Sequence, residues 1–561
     1  MATRIKHPRE QIYDADIPQR SKYRTLIPLV AFILTLWLIL ILLRFIFHIA
    51  QNNEYLFMGM IGSRTINFAA NDTVLYLDMI EQAQNGALLF SNEFTGEVSR
   101  NLYFNSIWLV IGKITGPLGL SPLTSFLIFK FLMIPVFILT LWRFLSLILP
   151  DVKSRYLAIF LIAFCGGIGW VLGTFGRLVP WPLEQWFIGG RVPEFNCFIC
   201  LLISPHITLA MSLMLIAMAD IIRCSHREQR GGLVFTAIMF ILATFHPYDV
   251  AMLFLVSGAY LLILRKQTGY FNKRIIKAYI TAIVVTAPVL AYHYWSLGAS
   301  PDLHGLKYQN ALMPTSSIRY LLAILPLGIP AAYELVKNIA QIKQLEPSQL
   351  FILTWTLMIP VMLYAYPDIP FAWKLAVGTP IPVFILATQW IMKHTRNDSK
   401  GQLRNILRSR TIVALIALSL INNIVVLMMI LNVPAKKAPP YYLSKYDVAA
   451  LQWLSKQPDN DYAVMSTRWH GLFMPSIARK KSFIAHGVVT PDCVNKEETA
   501  QEMFSENTPS DSDLEKLREY RVRWVFYGSL EKEWWEELEP SPEMLLRYSN
   551  DQVKIFEVIQ K

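Results

Sequence analysis

Charge and cysteine are both scarce in this chain. Of its 561 residues five are cysteine, and only 16% are Asp, Glu, Lys or Arg. So little charge cannot solvate the surface of an ordinary soluble protein of this length. The cysteines outline no disulfide framework. Cys197 and Cys200 form a C-x-x-C, but it opens an apolar run with no second pair, which is weak ground for a metal. Cys165 and Cys224 lie in or at the end of apolar runs, and Cys493 stands alone. Also absent are a Gly-rich phosphate loop, an H-E-x-x-H pair, internal repeats and low-complexity runs, so the common nucleotide and zinc-hydrolase signatures are excluded.

Hydrophobic sequence is what the chain has in quantity: 54% of residues, with a mean hydropathy of +0.38. About eleven runs are long and apolar enough to suggest transmembrane helices. The first, Leu26–Ile49, follows a basic N-terminus and has no small-residue cleavage site, so it reads as a retained anchor rather than a signal peptide. Others fall near 122–149, 156–176, 197–222, 232–246, 248–264, 275–297, 317–336, 349–366, 371–392 and 411–432. The pair within 232–264 is so short that a re-entrant hairpin is an alternative.

Lys and Arg are divided unevenly among the connections. The tail before residue 25 and the loops near 150–155, 223–231, 265–277, 337–348 and 393–410 hold 24 of them; the alternate loops near 50–102, 177–196, 247, 298–316 and 367–370 hold 5. Cytoplasmic loops carry the excess of cations. The tail 1–25 is therefore expected to be cytoplasmic and the C-terminal segment extracytoplasmic. This phase requires the stretch 102–119 to lie at the outer interface without crossing.

Three regions follow: the tail 1–25, a multi-span membrane domain 26–433 with an acidic first outer loop 50–102, and a soluble segment 434–561. The last carries 17 Lys and Arg against 20 Asp and Glu. Helix-like runs at 445–456 and 510–520 alternate with strand-like runs at 461–467, 522–528 and 553–559, which predicts a small α/β domain. The basic residues are scattered over loops on one side, a pattern that suits anionic lipid and not nucleic acid.

Ionisable groups in so apolar a chain usually carry function. Asp72, Asp78, Glu81, Glu93 and Glu97 crowd the loop just after the first span. The run 73–85 reads as a helix with Val74, Leu77, Ile80 and Ala83 on one face and Asp78, Glu81 and Gln82 toward water. Asp72 then has two readings, an N-cap of that helix or a general base. Glu93 and Glu97 are alternative acids, or plain solvated charges. Lys374, between Trp373 and Pro380, reads either as an interfacial anchor or as a phosphate contact. His206 and His246, with Asp249 beside the second, fall at the same ends of their spans and suggest a shared polar site; their spacing is no metal motif.

The run D-x-x-x-Y-x-x-x-x-x-Q-x-x-x-G through Asp72, Tyr76, Gln82 and Gly86, ending in NEFTGE (92–97), resembles the GT-C superfamily of integral-membrane glycosyltransferases. Within that group it resembles bacterial relatives of the dolichyl-phosphate-mannose–protein mannosyltransferases and aminoarabinose transferases. The segment YYLSKYDVAALQWLSKQ (441–457) and the Ala-His-Gly at 485–487 are similar to tails of such proteins. The Lys-Pro-Pro or Pro-Pro-Leu-Tyr element common after the first acidic loop is replaced by VSRNLYFNS (98–106), and Lys374 stands where many relatives have Arg.

The resemblance implies a membrane glycosyltransferase of the inner (plasma) membrane. It would move a hexosyl or pentosyl group, with inversion, from a polyprenyl-phosphate donor to a lipid, glycan or protein acceptor on the outer face. Asp72 would be its base, with Tyr76, Lys374, His206, His246 and Asp249 around the substrate. Some members use a divalent metal; no ligand cluster in this sequence demands one. The rival readings are a polytopic transporter or flippase and a non-catalytic membrane assembly protein.

Overall fold

The computed structural model describes residues 19–62, 68–170, 193–225, 232–270, 272–303, 317–364, 372–395, 406, 409–458, 461–503, 509–533 and 538–560. The expected loops at 177–196, 298–316, 367–370 and 393–410 fall largely outside these residues, as does most of the N-terminal tail.

The chain is an α-helical polytopic membrane protein with a small C-terminal sheet. Seven described helices are long and apolar enough to cross a membrane: Leu26–Ile49, Pro122–Leu145, Pro205–Ser225, Pro247–Thr268, Lys273–Ala299, Lys374–His394 and Arg410–Lys436. The other expected spans fall on shorter pieces, and proline accounts for several breaks because it supplies no N–H to the helix ladder. The expected span 197–222 is divided at Ser204 into Cys197–Ile203 and Pro205–Ser225. The span 317–336 becomes Ser317–Ile324 and Gly328–Ala340, on either side of Pro326. In the 232–264 pair, Leu233–Ala243 has 11 residues, and Pro247 opens the next helix. The buried carboxylate of Asp220 accepts N–H bonds from Gly232 (2.7 Å) and Phe235 (3.0 Å), tying the start of that short helix to its neighbour.

Two helices follow the first span. Phe68–Gln84 comes first and Ser106–Thr115 packs across it. Ten residues of helix reach about 15 Å, half the hydrocarbon thickness, so the second cannot span. The two lie close because Gly112 has no side chain: a Cβ there would sit 2.5 Å from that of Ala83.

The loop after the first span and the C-terminal segment are joined by strands. β1 (Tyr55–Phe57) pairs antiparallel with β2 (Tyr442–Ser444), Leu56 opposite Leu443. The Tyr442 hydroxyl donates to the Phe47 carbonyl at the end of the first span, 2.6 Å away. Ser444 caps the helix Lys445–Leu454. A five-stranded sheet follows, in the order β4 (Lys481–Ser482), β3 (Ala463–Met465), β5 (Val522–Tyr527), β7 (Lys554–Val558), β6 (Met544–Ser549). β3 runs parallel to β4 and β5, whereas β7 is antiparallel to both its neighbours. Helix Asp511–Glu519 opens with a reciprocal Ser510–Asp513 capping box. The strand-like sequence runs correspond to β3, β5 and β7. β4 and β6 had no sequence signal, since β4 is two residues long and β6 is largely exposed.

Candidate functional site

The helix after the first span begins at Phe68, earlier than the apolar pattern suggests. Asp72 therefore lies in its second turn and is not an N-cap. Residues 72, 75 and 76 share one helical face, and Asp72, Leu75 and Tyr76 line a cavity of about 150 Å³. Val74, Ile80 and Ala83 of the same helix are buried, as the apolar pattern requires. The expectation that Asp78 and Gln82 face water is corrected. Asp78 is buried and accepts a 2.7 Å bond from the Gln82 amide, which also reaches the Ser91 carbonyl. Burial, reinforced by the nearby Glu93 charge, holds the Asp78 carboxyl well above the ordinary carboxylate range. The loop 85–91 folds back over this helix, which a helical wheel cannot show.

The same cavity is lined by Lys374, His206 and His246, brought from three other elements, and by Trp108, Tyr103, Asn105, Tyr248 and His293. Each spanning helix that reaches it does so with an end. His206 and His246 stand at the starts of Pro205–Ser225 and Pro247–Thr268, Leu297 at the finish of Lys273–Ala299, and Lys374 on a 3₁₀ turn before Pro380–His394. Gly378, at φ +74°, lets the chain turn from one to the other.

Asp72 Oδ1 is 3.0 Å from His486 Nε2, a residue of the C-terminal segment. Tyr76 stacks on Trp108 at 4.4 Å between ring centres and meets His206 edge-on at 4.8 Å. Burial, followed by the charge of Asp72, pushes the Tyr76 phenol well up. Its hydroxyl lies 3.3 Å from His206 Nε2, a contact in which the phenol donates or accepts according to the imidazole tautomer. His206 Nδ1 is buried with no hydrogen-bond partner among the described residues. Asn105 Oδ1 and His293 Nε2 on the cavity wall, and Glu194 Oε2 beside Lys374, are likewise buried with no partner among the described residues. Buried polar atoms left unpaired are costly, and so many around one cavity is the mark of a site for a polar ligand.

Lys374 makes a 2.9 Å ion pair with Glu194, which is 3% exposed. His246 Nδ1 is 2.9 Å from Asp249 Oδ2, without hydrogen-bond alignment, and Asp249 lies behind His246 and does not line the cavity. Glu93 and Glu97 are not brought to it either. The Glu93 carboxylate accepts from the Ser91 hydroxyl, and Glu97 pairs with Lys496 at 2.5 Å. Glu194 and His486 escaped the sequence reading. Glu194 sits in PEFN, an acid at the mouth of an apolar run, which was a usable signal. His486 was visible only within the Ala-His-Gly element.

Among the described residues no group of three or more His, Cys, Asp or Glu side chains is arranged to hold a metal ion. The described residues of the cavity thus offer no such cluster to a divalent ion, and no step below passes through one. A larger cavity, about 650 Å³, lies at the far ends of the helices, lined by Asp151, Glu334, Gln349, Gln389 and Lys393. Its buried acid Glu334 is already paired with Lys393, and Asp151 caps a helix. Size favours that cavity; convergent unpaired chemistry favours the smaller one.

Compared with known proteins, the sequence matches no family model and no curated protein. Solved structures do resemble it in shape. ArnT from Cupriavidus metallidurans bound to undecaprenyl phosphate is 11% identical, with a TM-score of 0.48 over 93% of this chain and 97% of that one. The archaeal oligosaccharyltransferase AglB from Archaeoglobus fulgidus, in complex with an inhibitory peptide and a dolichol-phosphate, is 14% identical, with a TM-score of 0.46 over 92% and 72%. At such identities the likeness is one of overall architecture and transfers no residue roles.

Proposed function

We propose that this protein is an inverting membrane glycosyltransferase of the GT-C type. It takes a hexosyl or pentosyl group from a polyprenyl-phosphate donor and gives it to a lipid, glycan or protein hydroxyl at the outer face of the plasma membrane. The observation that carries the proposal is one cavity at the helix ends that holds a half-exposed carboxylate, a lysine and an aromatic wall.

Each part has a task. Asp72 takes the proton of the acceptor hydroxyl. The acceptor oxygen then bonds to the anomeric carbon from the face opposite the phosphate, and the carbon–oxygen bond to phosphate breaks with its electron pair leaving on the phosphate. One displacement inverts the centre. Lys374 offsets the charge on the departing phosphate; an ammonium has three donors and can keep Glu194 while engaging an anion. In the tautomer that accepts from Tyr76, His206 supplies a second donor through Nδ1. Tyr76 and Trp108 offer flat apolar surface to a sugar ring.

Topology supports the same side for all of this. The helices Pro247–Thr268 and Lys273–Ala299 carry Arg265, Lys266, Lys273 and Arg274 at the ends away from the cavity. If those cations are cytoplasmic, the cavity and the C-terminal segment 434–561 are extracytoplasmic. A site at helix ends is also unlike the midplane sites of carriers.

The test is turnover. Purified protein is given polyprenyl-phosphate hexose and pentose donors, and release of polyprenyl phosphate is measured beside solute uptake in vesicles. Donor-dependent release supports the proposal. Uptake without release from any donor would sink it in favour of a transporter.

A further inference from the structure

His486 lies on a turn closed at several points. The Ala485 N–H donates to Thr490 Oγ1 (3.2 Å), and the Thr490 N–H to the His486 carbonyl (2.9 Å). The turn is fastened to the first outer loop. Thr490 Oγ1 donates to the Phe94 carbonyl (2.7 Å), and the Asn92 amide to the Val489 carbonyl (2.7 Å). Nearby, Lys496 reaches Glu97 and, at 3.0 Å, Thr95 Oγ1. Behind it Gly471 admits the Ile484 carbonyl, which a Cβ would meet at 1.8 Å.

The imidazole itself is held by its backbone. His486 Nδ1 accepts the N–H groups of Val488 (3.2 Å) and Val489 (3.4 Å). A nitrogen that accepts carries no proton, so the neutral ring bears its hydrogen on Nε2. That N–H points at Asp72 Oδ1, 3.0 Å away, and His486 is 3% exposed.

We infer that His486 is a positioning residue for Asp72, contributed by the C-terminal segment; the inference rests on the reading of Asp72 as the base. With its proton on Nε2, His486 cannot itself receive the acceptor's proton through that nitrogen. It pins Oδ1, so that Oδ2 is presented to the acceptor hydroxyl in one orientation. The C-terminal segment thus completes the active site, and Asn92, Thr95 and Glu97 of the acidic loop serve to seat it.

The experiment compares transfer by the full-length wild type with that of His486→Phe, His486→Asn and His486→Gln, using one polyprenyl-phosphate sugar donor and following unfolding in detergent. Phe keeps the ring without a donor; Gln can place an N–H where Nε2–H stood, and Asn is too short to do so. Misplacing a reacting group by about 1 Å costs on the order of 100-fold. Phe and Asn should therefore lower kcat by about 10–100-fold with donor KM unchanged, and Gln should restore most of it. Wild-type kcat in a natively melting Phe variant overturns the inference, as does equal kcat in Asn and Gln. If His486→Phe melts low, the Asn–Gln pair decides. A wild type that transfers nothing removes the transferase reading itself, a separate outcome from these.

Discussion

Asp72 and His486 are 414 positions apart in sequence and share a 3.0 Å hydrogen bond. The helix that follows the first span and the C-terminal segment thereby meet at one carboxylate. That meeting makes Asp72 more than another loop acid, because Asp78, Glu93 and Glu97 all have structural partners away from the cavity.

Asp72→Asn should fold and melt as the wild type does, since the residue sits inside its helix and caps nothing. Its amide cannot take a proton. Transfer should fall at least about 100-fold, the usual scale of a general base. Near-normal turnover would move the base elsewhere.

Lys374→Ala is expected to do two things at once. Losing a charge-assisted contact should weaken donor binding by about 1.5–3 kcal/mol. Stranding the buried Glu194 should also destabilise the fold by about 3–5 kcal/mol. The double variant Lys374→Met/Glu194→Gln removes the stranded charge. It should melt near the wild type while still binding polyprenyl phosphate poorly; tight binding by the double variant would leave Lys374 as an ion-pair partner only.

The C-terminal segment should lose stability in alkali. His470 is wholly buried between Glu531 (2.8 Å) and Asp447 (3.4 Å). Burial by itself would lower its pKa, but Glu531 and then Asp447 overcome that and raise it to about 10. A raised histidine contributes fully below its unfolded pKa of about 6.5 and loses its contribution as pH rises through about 10. The melting temperature should fall between pH 7 and 10.5 in the wild type. His470→Gln should melt lower at pH 7 and show a flatter alkaline slope. Parallel slopes in the two proteins would show that another group governs the decline.

Reporter fusions at Lys400 and Lys561 should label on opposite sides of the membrane, as the distribution of Lys and Arg among the loops requires. Labelling on the same side would overturn the placement of the cavity at the outer face.

Much of the site was legible because the bilayer makes polar residues conspicuous. Lys374, His206 and His246 stood out against apolar neighbours, and all three line the cavity with Asp72 and Tyr76. Asp249 stood out equally but lies against His246 and does not line the cavity. Glu194 pairs with Lys374 across 180 positions, and nothing in periodicity could have matched the two. The water-facing stripe assigned to Asp78 and Gln82 failed because the following loop covers it.

The sequence by itself determined that the chain is a helical membrane protein, how its basic loops alternate, and where its polar residues interrupt apolar runs. These are local properties, set by the cost of placing charge and unpaired backbone in hydrocarbon. Only the tertiary structure decided which of those residues face one another. The pairing of β1 with β2 and the seating of the 485–490 turn on Asn92 and Phe94 depend on contacts between distant segments. Side-chain direction and long-range packing choose such partners, and no window of sequence contains both members of the pair.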